Sequence, residues 1–463
     1  MPGARVSFNL DTMTTVNQLS KLGLFDSKVP RYTSYPTSPQ FTADVGAAEM
    51  TRWIDAIPAG SEISLYVHVP FCRRLCWFCA CRTQGTGNMD TVRLYLDTLK
   101  AEIARLKAHL PAGVRLSRLH WGGGTPTLMD AGMMEELAEA LFDLAPLAEG
   151  GEFSVEIDPN EIDAARLDAL ARAGMTRASI GIQDFDPEIQ ETIGRIQGYD
   201  VTKSVADALR ARGIESLNAD ILYGLPYQTN ARIADSVQRL LSLNPDRVAL
   251  YGYAHVPWMA RRQAMIPAEA LPAPEERLGL FDTARELFLW DGYDEVGIDH
   301  FARPEDGMAR ALKAGTLRRN FQGYTDDQAD VLVGLGASSI SRFPAGYVQN
   351  AASTGEYTKH IRTGGFAAAR GHAFRGDDLL RGRMIESLMC DFRIDNAEMT
   401  DRFGVTRAQL DTLYRDVVAT FAGFVDQTPQ GLSIRPEGRP LTRMIARSFD
   451  AYALAKTGHS SAV

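Results

Sequence analysis

Cysteine is scarce in this chain: there are five in 463 residues, four of them between positions 72 and 81. A disulfide framework spreads its cysteines over a secreted chain, so this clustering excludes that class and points to metal or cluster ligation. No apolar run approaches the length that spans a bilayer. The N-terminus, MPGARVSFNLDTMTTVNQLS, has no apolar core of a secretory signal. A cytoplasmic location is the resulting expectation, with no membrane partner. Basic excess is absent too. Against 58 Asp and Glu there are 49 Lys and Arg, a net charge of −9. That argues against a nucleic-acid partner, whose affinity rests on neutralising phosphates. Repeats and low-complexity tracts are missing as well.

What remains is the composition of a folded globular chain, 45% hydrophobic and 23% charged. Residues 1–60, with Pro30, Pro36 and Pro39, read as an irregular N-terminal arm. Residues 61–374 alternate strand-like and helix-like segments. The strand-like runs are Ile63–Val69, Leu116–Trp121, Phe153–Ile157, Ala178–Ile182, Leu217–Leu222 and Val248–Tyr251. They are short, apolar and mostly unalternated, as strands buried on both faces are. Leu96, Leu99, Ile103, Leu106 and Leu110 make one helical stripe. Met133–Leu144, Ala164–Ala173, Val201–Arg212 and Ile233–Leu243 supply further helices, with Gly174 and Gly213 placed to end two of them. This succession predicts an α/β fold built on an incomplete, TIM-like (β/α)6 barrel. Its functional residues are expected at the C-terminal ends of the strands. Residues 375–463 read as a small, mainly helical, winged-helix-like domain. Its 12 basic and 12 acidic residues give no surplus for DNA.

The loop after the first strand carries Cys72, Cys76 and Cys79 in C-x3-C-x2-C spacing, followed by Cys81. Three thiolates on one short loop can hold three irons of a [4Fe–4S] cube and leave the fourth iron open. The alternative is a zinc knuckle using all four, although zinc sites usually draw two separated ligand pairs. Cys390 stands apart in an apolar stretch and reads as core. His120-Trp-Gly-Gly-Gly-Thr-Pro-Thr127 ends the second strand, where successive glycine N–H groups can cup an anion or a carboxylate. Later strand ends carry Glu156 and Asp158, then Gln183 and Asp184 with Arg195 beyond, then Asp220, then Tyr253 and His255. Polar residues at consecutive strand ends describe a ligand-binding barrel mouth.

Together these motifs resemble the radical S-adenosylmethionine superfamily and, within it, the oxygen-independent coproporphyrinogen III oxidase family. The similarity extends to Pro30–Thr37, Val155–Pro159, Asp220–Pro226, Asn320–Thr325 and Gly336–Ser341. The resemblance implies a [4Fe–4S] cluster on Cys72, Cys76 and Cys79 but not Cys81, and two S-adenosylmethionine molecules. The first would sit near Tyr66, Phe78, Gly123, Glu156 and Ile340, and the second near Gly124, Thr125, Gln183, Arg195, Asp220 and Ala254. It implies that coproporphyrinogen III loses two propionate carboxyl groups to a 5′-deoxyadenosyl radical mechanism, with a low-potential electron donor as partner and a monomeric state. Cationic groups should meet the substrate's carboxylates, and Arg31, His300, Arg303, Arg318 and Arg319 are the candidates. Asp326 departs from the family pattern and adds negative charge nearby. A haem-chaperone paralogue and a radical S-adenosylmethionine methyltransferase share the fold and are the competing readings.

Overall fold

In the computed structural model, residues 17–453 and 462 are described. The order begins with helix α1 (Ala47–Asp55), strand β1 (Glu62–Val69), helix α2 (Met89–His109) and strand β2 (Arg115–Gly123). It continues with α3 (Ala131–Leu144), β3 (Leu147–Ile157), α4 (Ala164–Arg172), β4 (Arg177–Gln183), α5 (Tyr199–Arg210) and β5 (Ser216–Tyr223). Then come α6 (Asn230–Ser242), β6 (Arg247–Gly252) and α7 (Pro274–Trp290). Strands β1 to β6 lie side by side in chain order and all pair in parallel. That is the arrangement right-handed strand–helix–strand units build.

The sheet does not stop at six strands. Beyond β6 it adds β8 (His300–Ala302) and β7 (Asp294–Val296), both antiparallel. On the other side of β1, β9 (Leu332–Leu335) joins in parallel, followed by antiparallel β10 (Ile340–Phe343), β11 (Gly346–Asn350) and β12 (Ala368–Ala373). The result is one mixed sheet of 12 strands, curled so that β1 and β6 line the same cavity.

The parallel strands alternate more than their sequences suggest. In β5 the burial pattern is strictly two-fold over Ser216–Ile221, and in β4 over Ala178–Gln183. One face carries apolar residues such as Ile180, Ile182, Ala219 and Ile221 toward the helices. The other carries Ser179, Gly181, Gln183, Asn218 and Asp220 toward the cavity. A filled barrel would be apolar inside. This one is open and polar inside, which is why the reading of unalternated strands fails.

Helices cover the outer face. In α2, Leu96, Leu99, Ile103 and Leu106 are buried in the main core. Truncating Ile103 to Ala would cost about 2–5 kcal/mol by leaving a cavity. Helix α4 closes with Gly174 N–H on Ala171 O and Met175 N–H on Leu170 O; α5 closes likewise through Gly213 and Ile214. Both glycines have positive φ, the conformation that ends a helix with a left-handed residue.

The arm is less irregular and less separate than expected. Helix α1 lies within it, burying Met50, Trp53 and Ile54. Its apolar residues escape a reading weighted by the three prolines. Leu19, Leu24, Phe25, Val29, Tyr32 and Tyr35 share a second core with residues 380–449. That C-terminal part holds α8 (Asp378–Asp391), α9 (Asn396–Phe403), α10 (Arg407–Thr420) and a last helix, α11 (Thr442–Arg447). Its small antiparallel sheet has three strands in the order β13 (Arg393–Asp395), β15 (Gly431–Ile434), β14 (Val425–Thr428). The first of these strands is only three residues long and has no sequence signal. Cys390 is fully buried.

Candidate functional site

The parallel register sets the site. Tyr66 of β1 stands opposite His120 of β2, and His120 opposite Ser154 of β3. The Tyr66 and His120 rings stack at 5.7 Å with 14° between planes. The Tyr66 hydroxyl lies 2.8 Å from His68 Nδ1, and His120 Nδ1 lies 2.6 Å from Ser154 Oγ. His120 Nε2 is 3.4 Å from Glu156 Oε1, while Glu156 Oε2 accepts from the Gly123 N–H at 3.0 Å. Burial pushes the Glu156 carboxyl up, but His120 and the Gly123 N–H together bring it below its ordinary value. His68 and His120 also line the cavity, and the sequence reading gave neither a role. Their two-residue spacing from Tyr66 and Gly122 along strands is the signal that places them on the cavity face.

The glycine turn serves close packing. A Cβ on Gly123 would lie 2.5 Å from the His68 ring, and one on Gly124 would lie 2.5 Å from the Phe71 carbonyl oxygen. The Gly124 N–H donates to Val69 O at 2.8 Å and the Thr125 N–H to Phe71 O at 2.7 Å. Of the N–H groups expected to cup an anion or a carboxylate, that of Gly123 meets the Glu156 carboxylate, while those of Gly124 and Thr125 are taken by backbone carbonyls. Those of Gly123, Gly124 and Thr125 are satisfied by the protein, and they bolt the start of the cysteine loop to the end of β2.

The cysteine loop opens onto the same cavity. Cys72, Cys76, Cys79 and Cys81 all line it. Arg195 reaches Cys76 Sγ with Nη1 at 3.6 Å, and its Nη2 donates to Gly181 O at 2.8 Å and Gln197 Oε1 at 2.9 Å. The Cys81 N–H points at Cys79 Sγ from 3.4 Å. Among the described residues no group of three His, Cys, Asp or Glu side chains is drawn tight enough to hold a single metal ion. In a cubic cluster each thiolate takes its own iron, so the thiolates need not meet at one point. The donor set, soft thiolates with a fixed cation beside them, fits an iron–sulfur cluster.

The other expected residues converge here. The cavity, about 1740 Å³, is lined by Tyr66, Phe78, Gly123, Gly124, Thr125, Glu156, Gln183, Arg195, Asp220, Ala254 and Ile340. Gln183 ends β4 at φ +68, where the register shifts against β5. The left-handed conformation turns its amide back, so that a Cβ on Gly181 would lie 2.7 Å from Nε2. Buried Gln263, another residue missed by the sequence reading, donates to Phe78 O at 2.7 Å and Ala254 O at 3.1 Å, tying those two wall segments together. Burial pushes the Asp220 carboxyl up to about 6, against the Asn218 amide that donates to it at 2.9 Å.

The substrate candidates divide. Arg31, His300 and Arg319 line the cavity. His300 has Nδ1 2.7 Å from Asp299 Oδ1 and Nε2 3.3 Å from the Tyr251 hydroxyl. Two expectations are corrected. Arg303 lies outside the cavity lining, stacked 4.0 Å from the Tyr293 ring centroid and paired with Asp291 at 2.9 Å. Arg318 is also outside, 3.9 Å from Glu386. It adjoins Arg319 on a strand, and adjacent strand residues face opposite ways, so only one can reach the cavity. Asp326 belongs to an ion network at the other end of the strands. Arg118 donates to it at 2.9 Å and Arg247 lies 3.8 Å away, while Glu152 and Asp306 pair with Arg177 and Arg247. Burial alone would raise its carboxyl, but Arg247 and Arg118 hold it below the ordinary value.

A curled parallel sheet with a three-cysteine loop after its first strand defines the radical S-adenosylmethionine class, and the family described as the Radical SAM superfamily matches residues 66–240. Within that class the chain belongs to the oxygen-independent coproporphyrinogen III oxidase family. A protein of that name from Paracoccus denitrificans is 66% identical, over 97% of this chain and 100% of the relative. One from Cereibacter sphaeroides is 60% identical over 95% and 98%. The solved structure of coproporphyrinogen III oxidase from Escherichia coli, described as a radical SAM enzyme, superposes with a TM-score of 0.87. Its identity is 35%, and the match covers 92% of this chain and 100% of that one.

Proposed function

We infer that this chain catalyses the oxygen-independent oxidative decarboxylation of two propionates of coproporphyrinogen III to vinyl groups. The product is protoporphyrinogen IX, in haem biosynthesis. The observation that carries this reading is one cavity lined by both the Cys72, Cys76 and Cys79 thiols and the Arg31 and Arg319 guanidinium groups. It lies in a chain aligned nearly end to end with named oxidases.

Cys72, Cys76 and Cys79 hold the [4Fe–4S] cluster in this reading, and Cys81 does not. Cluster and S-adenosylmethionine, when bound, supply a one-electron reductive cleavage that yields a carbon radical able to take a hydrogen atom. The protein positions the parts. Tyr66, Phe78, Gly123, Glu156 and Ile340 surround the first S-adenosylmethionine. Gly124, Thr125, Gln183, Arg195, Asp220 and Ala254 surround the second. Glu156, kept charged, accepts from an ammonium or ribose hydroxyls. Arg31 and Arg319 pair with propionate carboxylates, whose planar geometry a guanidinium fork matches. No acid or base is assigned, because the propionate loses a hydrogen atom to the radical, then CO2, and passes one electron to an external one-electron acceptor.

The same reading calls for a low-potential electron donor and no nucleic acid, with the chain working as a monomer. A cytoplasmic setting suits it, since a reducing compartment keeps clustered thiols free for ligation. Among the described residues no helix is long and apolar enough to cross a membrane. Anaerobic incubation with coproporphyrinogen III, S-adenosylmethionine, a chemical reductant and a one-electron acceptor tests the function. A product lighter by two CO2 and four hydrogens in all, after two rounds, is expected; a methylated product, or none from cluster-loaded protein, would refute it.

A further inference from the structure

A carboxylate is sealed behind the wall of the cavity. Glu102 stands on α2 and is fully buried. Three neutral donors converge on it. The Gly336 N–H reaches Oε2 at 2.8 Å, the Tyr357 hydroxyl reaches the same oxygen at 2.7 Å, and Asn350 Nδ2 reaches Oε1 at 2.8 Å. Burial raises its carboxyl above the ordinary value, and these donors offset that only in part. Burying a carboxyl is costly unless its oxygens are bonded. Here two of the three bonds go to residues that build the cavity wall.

Gly336 to Ser339 link β9 to β10, and Ser338, Ser339 and Ile340 line the cavity. Gly336 is held on both sides of its Cα. Glu102 takes its N–H, while Asn350 Nδ2 at 3.0 Å and Ser339 Oγ at 2.7 Å donate to its carbonyl oxygen. The Asn350 N–H also donates to Ser339 O at 2.9 Å. Gly336 has φ +93, and a Cβ there would lie 2.5 Å from His68 O, so the turn packs on the end of β1. Tyr95, about two turns before Glu102 on the same face of α2, closes the gap. Its hydroxyl donates to His68 O at 2.8 Å and accepts from the Ala337 N–H at 2.9 Å. Its ring meets that of Phe71, the residue before Cys72, edge-on at 5.2 Å. One face of α2 thus touches both the start of the cysteine loop and the turn before Ile340.

A glutamine would not serve at position 102. Both carboxylate oxygens accept, whereas an amide has one acceptor oxygen and one donor nitrogen. That nitrogen would face either Asn350 Nδ2, or the Gly336 N–H and the Tyr357 hydroxyl. Either way two donors oppose each other beside Gly336.

We propose that Glu102 is a positioning residue for S-adenosylmethionine: through Gly336 and Asn350 it fixes the turn and so sets Ile340 in place relative to the cysteine loop. This rests on the proposed function, in which Ile340 borders the first S-adenosylmethionine. Glu102 belongs to no motif and lies 234 positions from Gly336 in sequence.

The test compares Glu102→Gln with Tyr357→Phe in cluster-loaded full-length protein. Tyr357→Phe removes a bond to the same carboxylate but none to the turn, so it controls for a general loss of stability. Glu102→Gln should weaken S-adenosylmethionine binding by about tenfold in an equilibrium titration, the scale of one lost buried hydrogen bond. It should raise KM for S-adenosylmethionine more than it lowers kcat, and leave iron content and KM for coproporphyrinogen III within about twofold. Without S-adenosylmethionine, amide hydrogen exchange in the segment 336–341 should quicken by about tenfold. Tyr357→Phe should match wild type in affinity and in exchange of that segment. Asn350→Ala is the second variant should Glu102→Gln fail to fold, with the same result expected. Unchanged S-adenosylmethionine affinity or unchanged exchange would overturn the role of Glu102, as would an equal loss of affinity in Tyr357→Phe. Failure of the wild-type protein to bind S-adenosylmethionine at all would instead overturn the proposed function, and this role with it.

Discussion

Arg195 Nη1 lies 3.6 Å from Cys76 Sγ, with the guanidinium fixed by Gly181 O and Gln197 Oε1. Gln197 is itself held by the buried Gln190, so the cation cannot swing away without breaking that chain. A fixed positive charge beside a cluster ligand favours the more negative, reduced state. Arg195→Gln is therefore expected to lower the cluster midpoint potential by roughly 60 mV, equivalent to about 1.4 kcal/mol for one electron. An EPR-monitored titration reads this directly, and an unmoved potential would remove Arg195 from the electronic environment of the cluster.

Cys81 offers Cys79 a backbone N–H at 3.4 Å, which is a donor's role toward a thiolate. Iron and sulfide analysis of anaerobically reconstituted protein should find a full cluster in Cys81→Ser. Cys72→Ser, Cys76→Ser and Cys79→Ser should each lose most of it. Loss of iron in Cys81→Ser would mean that the fourth cysteine is a ligand.

Gly124 is where the cysteine loop is fastened. A Cβ there would meet the Phe71 backbone at 2.5–2.9 Å, and backbone cannot yield as a flexible side chain does. Gly124→Ala should destabilise the protein by about 1–3 kcal/mol, the usual cost of overpacking. It should also halve iron incorporation or worse. Denaturant unfolding together with iron analysis checks both, and normal iron content would break the link between this turn and the loop.

Asp220 gives a pH signature. Burial raises its carboxyl from 3.8 to about 6. Between those values the native state binds more protons than the unfolded state, so its contribution to stability falls as pH rises through that window. The penalty is full above pH 6. Asp220→Asn lacks it, and should be more stable than wild type at pH 8 by about 1–3 kcal/mol, an advantage that shrinks toward pH 4. Turnover should fall at the same time. Equal stability differences at pH 8 and pH 4 would contradict the assignment.

The strands β1 to β6 were legible because each is a short apolar run and the first five are each followed by a helical segment, a pattern that depends only on neighbours in sequence. The flanking strands were not. β7 to β12 are three to six residues long, and their pairing is set by tertiary contact, not by periodicity. The cysteine loop and the polar strand ends could be read for the same local reason. That Arg31 and Arg443 line one cavity could not, because they stand 412 positions apart and meet only through the second core, where Val29 and Tyr32 pack with Leu441 and Ile445. Arg303 and Arg318 show the converse: charge beside a motif says nothing of which way a side chain faces.

The central claim is that a radical made in this cavity takes hydrogen from a propionate β-carbon. Coproporphyrinogen III deuterated at the propionate β-carbons tests it, in anaerobic turnover followed by mass spectrometry of the nucleoside. The account predicts 5′-deoxyadenosine carrying one deuterium, formed twice for each divinyl product. Divinyl product accompanied by unlabelled 5′-deoxyadenosine would contradict it.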